Sequence, residues 1–180
     1  SSVNQVQVER KLRQAIPSFI SKYDYPPAIT ALQQLLMGKA VQPSQQRTIR
    51  EQMDLCQALE SWDCFDHISA WQELQHKMSL FRELGLFLKR VMRSRSKIDT
   101  AFIEKAHRAG VDYSIPCHGY ELVEDLLLNA ERRAYQKRFD DAVGRLYRAL
   151  ELLVQIRLRQ AYEIETGSVN LKALSITELR

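Results

Sequence analysis

The sequence predicts an all-α protein built of antiparallel helical hairpins packed as a bundle, with no sheet. Three observations predict it. Apolar residues return at i, i+3, i+4 and i+7 over most of the chain, the spacing of one buried helix face. Strand-like alternation is hard to find anywhere. Only six Gly and five Pro interrupt 180 residues, of which 45% are hydrophobic and 27% charged.

The first helix is marked by Val3, Val6, Leu12, Ile16, Phe19 and Ile20 and closes near Lys22. Pro17 lies inside it and is a point of kinking or splitting. Tyr23 to Pro27 reads as a turn whose prolines suit the first turn of a second helix, Ala28 to Met37, stopped by Gly38. A polar loop with Pro43 and Ser44 leads into a third helix, Gln45 to Leu59, with Ile49, Met53, Cys56 and Leu59 inward. Trp62 to Phe65 forms the next connection. One long apolar stripe then runs from about Asp66 to Met92 through Ile68, Trp71, Leu74, Met78, Phe81, Leu84, Leu88 and Val91.

Residues 94–119, with Gly110, Pro116 and Gly119, are the least regular part, although Ile98 to Ala109 also suits a short helix. From Tyr120 to Gln160 the pattern is a hairpin. Tyr120, Val123, Leu126, Leu127, Ala130 and Ala134 mark its first helix; Phe139, Ala142, Val143, Leu146, Tyr147, Leu150, Leu153, Val154 and Leu158 mark its second. Asp140 and Asp141 open that second helix, where unpaired N–H groups and the positive dipole end favour acids. The expected core includes Trp71, Leu74, Phe81, Leu126, Leu146, Leu150 and Val154. These signals divide the chain into an N-terminal helical domain (1–93), an irregular connection (94–119) and a C-terminal hairpin region (120–180).

A weak internal echo accompanies the helices. Tyr25-Pro-Pro-Ala28 and Phe139-Asp-Asp-Ala142 each place an aromatic three residues before an alanine at a helix start, and Phe65 with Ala70 is a looser copy. Tetratricopeptide-like hairpins seat helices this way, but the spacings share no single period, so stacked hairpins are expected, not a solenoid.

Charge and cysteine content bound the function. The formal net charge is +4. Residues 1–75 carry seven Lys/Arg against eight Asp/Glu, while residues 76–180 carry nineteen against fourteen. That modest basic bias suits phosphate-bearing partners but suits a solvated helix surface better. Three cysteines, Cys56, Cys64 and Cys117, form no disulfide framework and point to a reducing, cytoplasmic setting. No apolar run approaches the roughly 20 residues needed to span a bilayer. The chain enters a helical pattern at once without an initiator Met, and SITELR, with Ser175 or Thr177 as a cap, starts a helix that is not continued; both ends read as those of a fragment.

Four constellations are candidates for chemistry. Arg145 and Arg148 are three apart and share a helix face; with Arg133 they form the candidate nucleic-acid contact, in competition with pairing to Glu131, Glu151 or Asp141. Lys89 to Lys97 holds five basic residues in nine. Cys64-x-x-His67 with Cys56 offers too few ligands for a closed metal site, so no metal is expected. Trp62 and Phe65 read as an inter-helix wedge, with Asp63 and Asp66 as helix caps. No Gly-rich phosphate loop or nucleophile set is present, and neither a cofactor nor a catalytic residue is assigned.

DLLLNAERRA (Asp125 to Ala134) and RFDDAVGRLYRALELLVQIRL (Arg138 to Leu158) resemble, in that order, stretches of the CARF-linked CRISPR ancillary proteins of type III systems, and upstream SWDCFDHISAWQEL (Ser61 to Leu74) resembles another. The resemblance covers about two thirds of the chain in pieces. It implies a parent whose CARF domain, outside this chain, senses cyclic oligoadenylate and drives a HEPN ribonuclease. Residues 120–180 would then open a truncated HEPN-like region, with RNA as the parent's substrate and a homodimer as its assembly. The HEPN motif is Arg, four to six residues, then His. Counting back from His67, His76, His107 and His118 at that spacing never meets an Arg. This stretch is therefore expected to be inactive alone. The reading from another class is a non-catalytic helical protein-interaction module.

Overall fold

A computed structural model describes residues 2–38, 41–112 and 114–164. The expected cap at Ser175 or Thr177 lies outside them. Among the described residues every regular element is helical and no strand occurs, so the predicted fold class holds. No helix among them is long and apolar enough to cross a membrane.

The first helix is interrupted, as Pro17 suggests. Helix α1 (Ser2–Arg10) passes through a π-helical turn at Lys11–Ala15 into α2 (Ile16–Ser21). Proline has no N–H to give the carbonyl four residues back, and its ring crowds that carbonyl. A widened turn immediately upstream relieves both problems and keeps the helix running. Helix α3 (Tyr25–Met37) starts with its prolines in the first turn, and α4 (Pro43–Asp63) starts on a capping box between Gln42 and Gln45. Ile16, Ala28, Leu32, Ile49 and Cys56 close a first apolar cluster between these helices.

The expected long helix from Asp66 to Met92 is instead two. Helix α5 (His67–Leu74) tightens into a 3-10 turn at Gln75–Lys77, and α6 (Arg82–Ser96) restarts beyond it. The Lys77 carbonyl accepts from both Leu80 and Phe81 amides, which ends the α-helical ladder. Met78 then folds against Gly85, where any Cβ would collide with its sulfur. Met78, Phe81 and Leu84 remain half-buried on the same cluster, so the stripe continues while the helix does not. Periodicity reports which side is buried, not whether the backbone is continuous. Helix α7 (Thr100–Arg108), capped by Asp99 on the Phe102 amide, fills part of the stretch that read as least regular.

The hairpin of α8 (Glu121–Tyr135) and α9 (Phe139–Tyr162) completes the fold. A second apolar cluster runs from Ala58 through Trp71, Leu74, Leu88, Phe102 and Leu126 to Ile156. Trp71, Leu74 and Leu126 are buried as expected. Leu146, Leu150 and Val154 are not: they are 50%, 61% and 49% exposed. Helix α9 is apolar on two sides. The side bearing Ala142, Ala149, Leu152 and Ile156 faces inward, and its two alanines let helices approach closely. The larger side chains are left outside, as are Leu127 and Ala134 of α8.

Three of the connections are the same turn. After α2, α4 and α8 a non-glycine residue, Tyr23, Phe65 or Lys137, adopts φ of +57°, +60° or +61°. The next amide returns to a carbonyl five residues back at 2.9 Å each time: Asp24 to Phe19, Asp66 to Ser61, Arg138 to Arg133. The left-handed residue itself bonds three back, to Ile20, Trp62 and Ala134. This is the Schellman closure of a helix end. The following helix begins one residue later, at Tyr25, His67 or Phe139, and its fourth residue is buried Ala28, Ala70 or Ala142. The sequence echo is thus structural, with His67 and not Phe65 as the member that pairs with Ala70.

Truncating buried Leu152 to Ala should cost about 2–5 kcal/mol. Leu150→Ala should change stability by no more than about 0.5 kcal/mol. Urea titrations on dilute protein check both; a large cost at Leu150 with none at Leu152 would restore the opposite face of α9 to the core.

Candidate functional site: a buried polar ridge and the basic groove above it

Helix α8 buries a row of polar residues at intervals of four: Glu121, Asp125, Asn129 and Arg133. Such residues share one side of a helix, and each here has partners. Glu121 accepts from the His118 and Gly119 amides, at 2.5 and 2.8 Å, closing the loop before α8. Asp125 accepts from Trp62 Nε1 at 2.9 Å and contacts His67 Nε2 at 3.0 Å. Asn129 donates to Asp63 Oδ1 at 2.8 Å, and Arg133 pairs with Asp63 Oδ2 at 2.5 Å. Arg132 adds a third bond to Asp63 at 2.8 Å. The WDCFDH corner between α4 and α5 and the DLLLNAERRA block of α8 are therefore each other's partners.

His67 has both ring nitrogens engaged, because Arg95 Nη1 lies 3.2 Å from Nδ1. A guanidinium only donates, so Nδ1 accepts and Nε2 carries the hydrogen that goes to Asp125. Arg95 also donates to the Phe65 carbonyl at 3.1 Å and lies 4.3 Å over the Phe102 ring. Of the expected caps, Asp66 is one: it accepts from the Ser69 amide and hydroxyl. Partial burial pushes its carboxyl up, but the two Ser69 bonds outweigh this and hold it below the usual carboxylate range. Asp63 is not a cap; it is the buried acceptor just described.

Above this corner lies a groove. Two adjoining cavities, of about 510 and 560 Å³, share Cys64, Phe65, His67 and Arg95. The first continues to Lys105 and Arg108 of α7, the second to Arg145, Arg148 and Gln155 of α9. Arg145 sits 4.6 Å over the Phe65 ring, and Arg148 pairs with Glu151 at 2.7 Å. The two proposed contacts on α9 thus come to one cavity, while Arg133 is buried and held by Asp63 and by Gln136 at 3.0 Å. Gln136 in turn donates to the Tyr23 carbonyl at 2.8 Å, tying the N-terminal hairpins to α8.

Arg95, Lys105 and Arg108 were not assigned from the sequence. The only signal for Arg95 was the basic run Lys89 to Lys97, which turns partly inward. Arg93 donates to the Ile115 carbonyl, Lys97 to that of Cys117 at 3.4 Å, and Lys89 lies 4.9 Å over Trp71. Cys64 is exposed and Cys56 buried, and among the described residues no three His, Cys, Asp or Glu side chains converge as metal ligands.

Two outcomes follow from the buried groups. Asp63→Ala leaves Arg133 buried without its acid and should cost about 3–5 kcal/mol, measured by chemical denaturation. Tyr25, buried near Asp63 and Arg132, has its hydroxyl pushed up to about 12, mainly by burial; burial also pushes the Cys56 thiol up to about 11. Both pKa values are raised on folding, so their contribution is intact below the unfolded values and is lost as pH rises through the folded ones. Stability should fall between about pH 9 and 12, and Tyr25→Phe should move the upper part of that loss to higher pH in circular dichroism titrations.

No curated protein and no solved structure matches the chain. The family model described as the Csm6 HEPN domain matches residues 114–180, which include α8 and α9. The match takes in the two stretches Asp125 to Ala134 and Arg138 to Leu158 of the resemblance read from the sequence, and is consistent with a type III CRISPR-associated protein that contains a HEPN domain.

Proposed function

We propose that this chain is the helical effector-side region of an antiviral ribonuclease, cytoplasmic and switched on by cyclic oligoadenylate bound to a CARF domain outside these residues. The observation that carries the reading is the HEPN-domain match over the α8–α9 hairpin. In this reading Arg145 and Arg148 face the RNA backbone, and Arg133 holds α8 in place from within. The three cysteines are unbridged, which supports a reducing compartment.

The assembly in this reading is a homodimer. Phe139, Val143, Leu146, Tyr147 and Leu150 are exposed and share one apolar face of α9 by their helical spacing. An apolar face of that extent marks an interaction surface, and a two-fold contact lets the same patch cover itself. At about 100° per residue this face lies on the far side of α9 from Arg148 and Gln155, so dimerisation leaves the groove open.

The purified chain should not cleave labelled single-stranded RNA, with or without cyclic oligoadenylate, because no His follows an Arg at the HEPN spacing. Light scattering should give a dimer that Leu150→Asp converts to monomer. Robust cleavage abolished by changing a histidine of this chain would overturn the inactive reading. A strictly monomeric mass at high concentration would overturn the dimer and favour the helical-module alternative.

A further inference from the structure

The groove is more specific than a basic surface. The cavity beside α9 brings Arg95, Arg145 and Arg148 together with Asp99, and Glu151 pairs with Arg148 at 2.7 Å, so the formal balance is +1. Arg95 and Arg145 rest on aromatic rings, 4.3 Å from Phe102 and 4.6 Å from Phe65. Arg95 donates to a neutral carbonyl and a neutral ring nitrogen, and its Asp99 contact is long, at 3.8 Å. Ring faces and neutral acceptors orient a guanidinium without cancelling its charge as a close carboxylate does. Ile98, Leu122, Leu126 and Leu152 add apolar lining, and Thr100 and Gln155 add polar groups. Phe65, which lines both cavities, takes its φ of +60° from the turn that ends α4, and its ring lies beneath Arg145.

We infer that this cavity binds a nucleoside phosphate through a terminal phosphate group. A volume of about 560 Å³ lies within the range of small-ligand sites. A terminal phosphomonoester offers more free oxygens to the three arginines than a diester does, and the apolar lining suits the base. Two sources share that chemistry, a free mononucleotide and the phosphorylated end of an RNA strand. The second source deepens the function proposed above and rests on Arg145 and Arg148 facing RNA; the first does not.

The test uses the full chain, titrated calorimetrically with adenosine 5′-monophosphate and with adenosine. Short single-stranded RNA with and without a 5′-phosphate is measured by fluorescence anisotropy. The nucleotide should bind at least about tenfold more tightly than the nucleoside, as expected for charge-assisted contacts. Arg145→Ala should lose about tenfold. Gln155→Glu should also weaken binding by placing a negative charge in the cavity. Circular dichroism confirms that both variants fold. Preference for 5′-phosphorylated RNA, competed by the nucleotide, supports the strand end as ligand. Nucleotide binding with no RNA binding supports the cavity and overturns the RNA reading. Equal binding of both RNAs, uncompeted by the nucleotide, overturns the proposal and leaves the RNA reading intact. Equal affinity for nucleotide and nucleoside, or unchanged binding in both variants, also overturns it.

Discussion

The structure depends on a buried carboxylate. Asp63, near the end of α4, accepts from Asn129, Arg132 and Arg133 on one helix, and only one rotation and height of α8 satisfies all three. Asp125 makes the reciprocal demand from α8, taking Trp62 and His67 from the corner that Asp63 precedes. Buried ion pairs contribute little net stability, because desolvation offsets their attraction. Their effect here is on register. A slip of one residue along α8 would leave Asp125, Asn129 and Arg133 without partners in an apolar cluster, at the full cost of unmet hydrogen bonds.

That arrangement explains what was legible in the sequence and what was not. The helices apart from the break between α5 and α6, the Gly38 stop, the paired prolines and the role of Pro17 follow from local backbone rules, and these were readable. Helix α8 defeats periodicity only in part: Val123, Leu126 and Ala130 of its stripe are buried, but Leu127 and Ala134 lie outside, and the inward polar row gave no apolar signal. Helix α9 defeats it differently. Both sides are apolar, and pattern alone cannot say that the side with Ala142 and Ala149 wins over Leu146, Leu150 and Val154. Arginine counting found Arg145 and Arg148, which are neighbours on one helix. It could not reach Arg95, Lys105 and Arg108, which join them only through the packing of α6 and α7 on the same corner.

Helix α9 therefore serves three directions at once. Small residues seat it against the core, arginines and Gln155 border the groove, and large apolar residues face outward. A helix so divided has little freedom to rotate: turning it to bury Leu150 would withdraw Ala149 from the core and Arg145 from Phe65.

The repeated turn has a consequence for the chain as a whole. Each left-handed closure after α2, α4 and α8 uses only main-chain bonds, and each sets the next helix at the same step from the last. The turn makes few demands on side-chain identity, so tyrosine, phenylalanine and lysine all occupy it. The main-chain turn is common to all three junctions, and what distinguishes the first two is the side chain that caps each one: Gln136 donates to the Tyr23 carbonyl and Arg95 to that of Phe65.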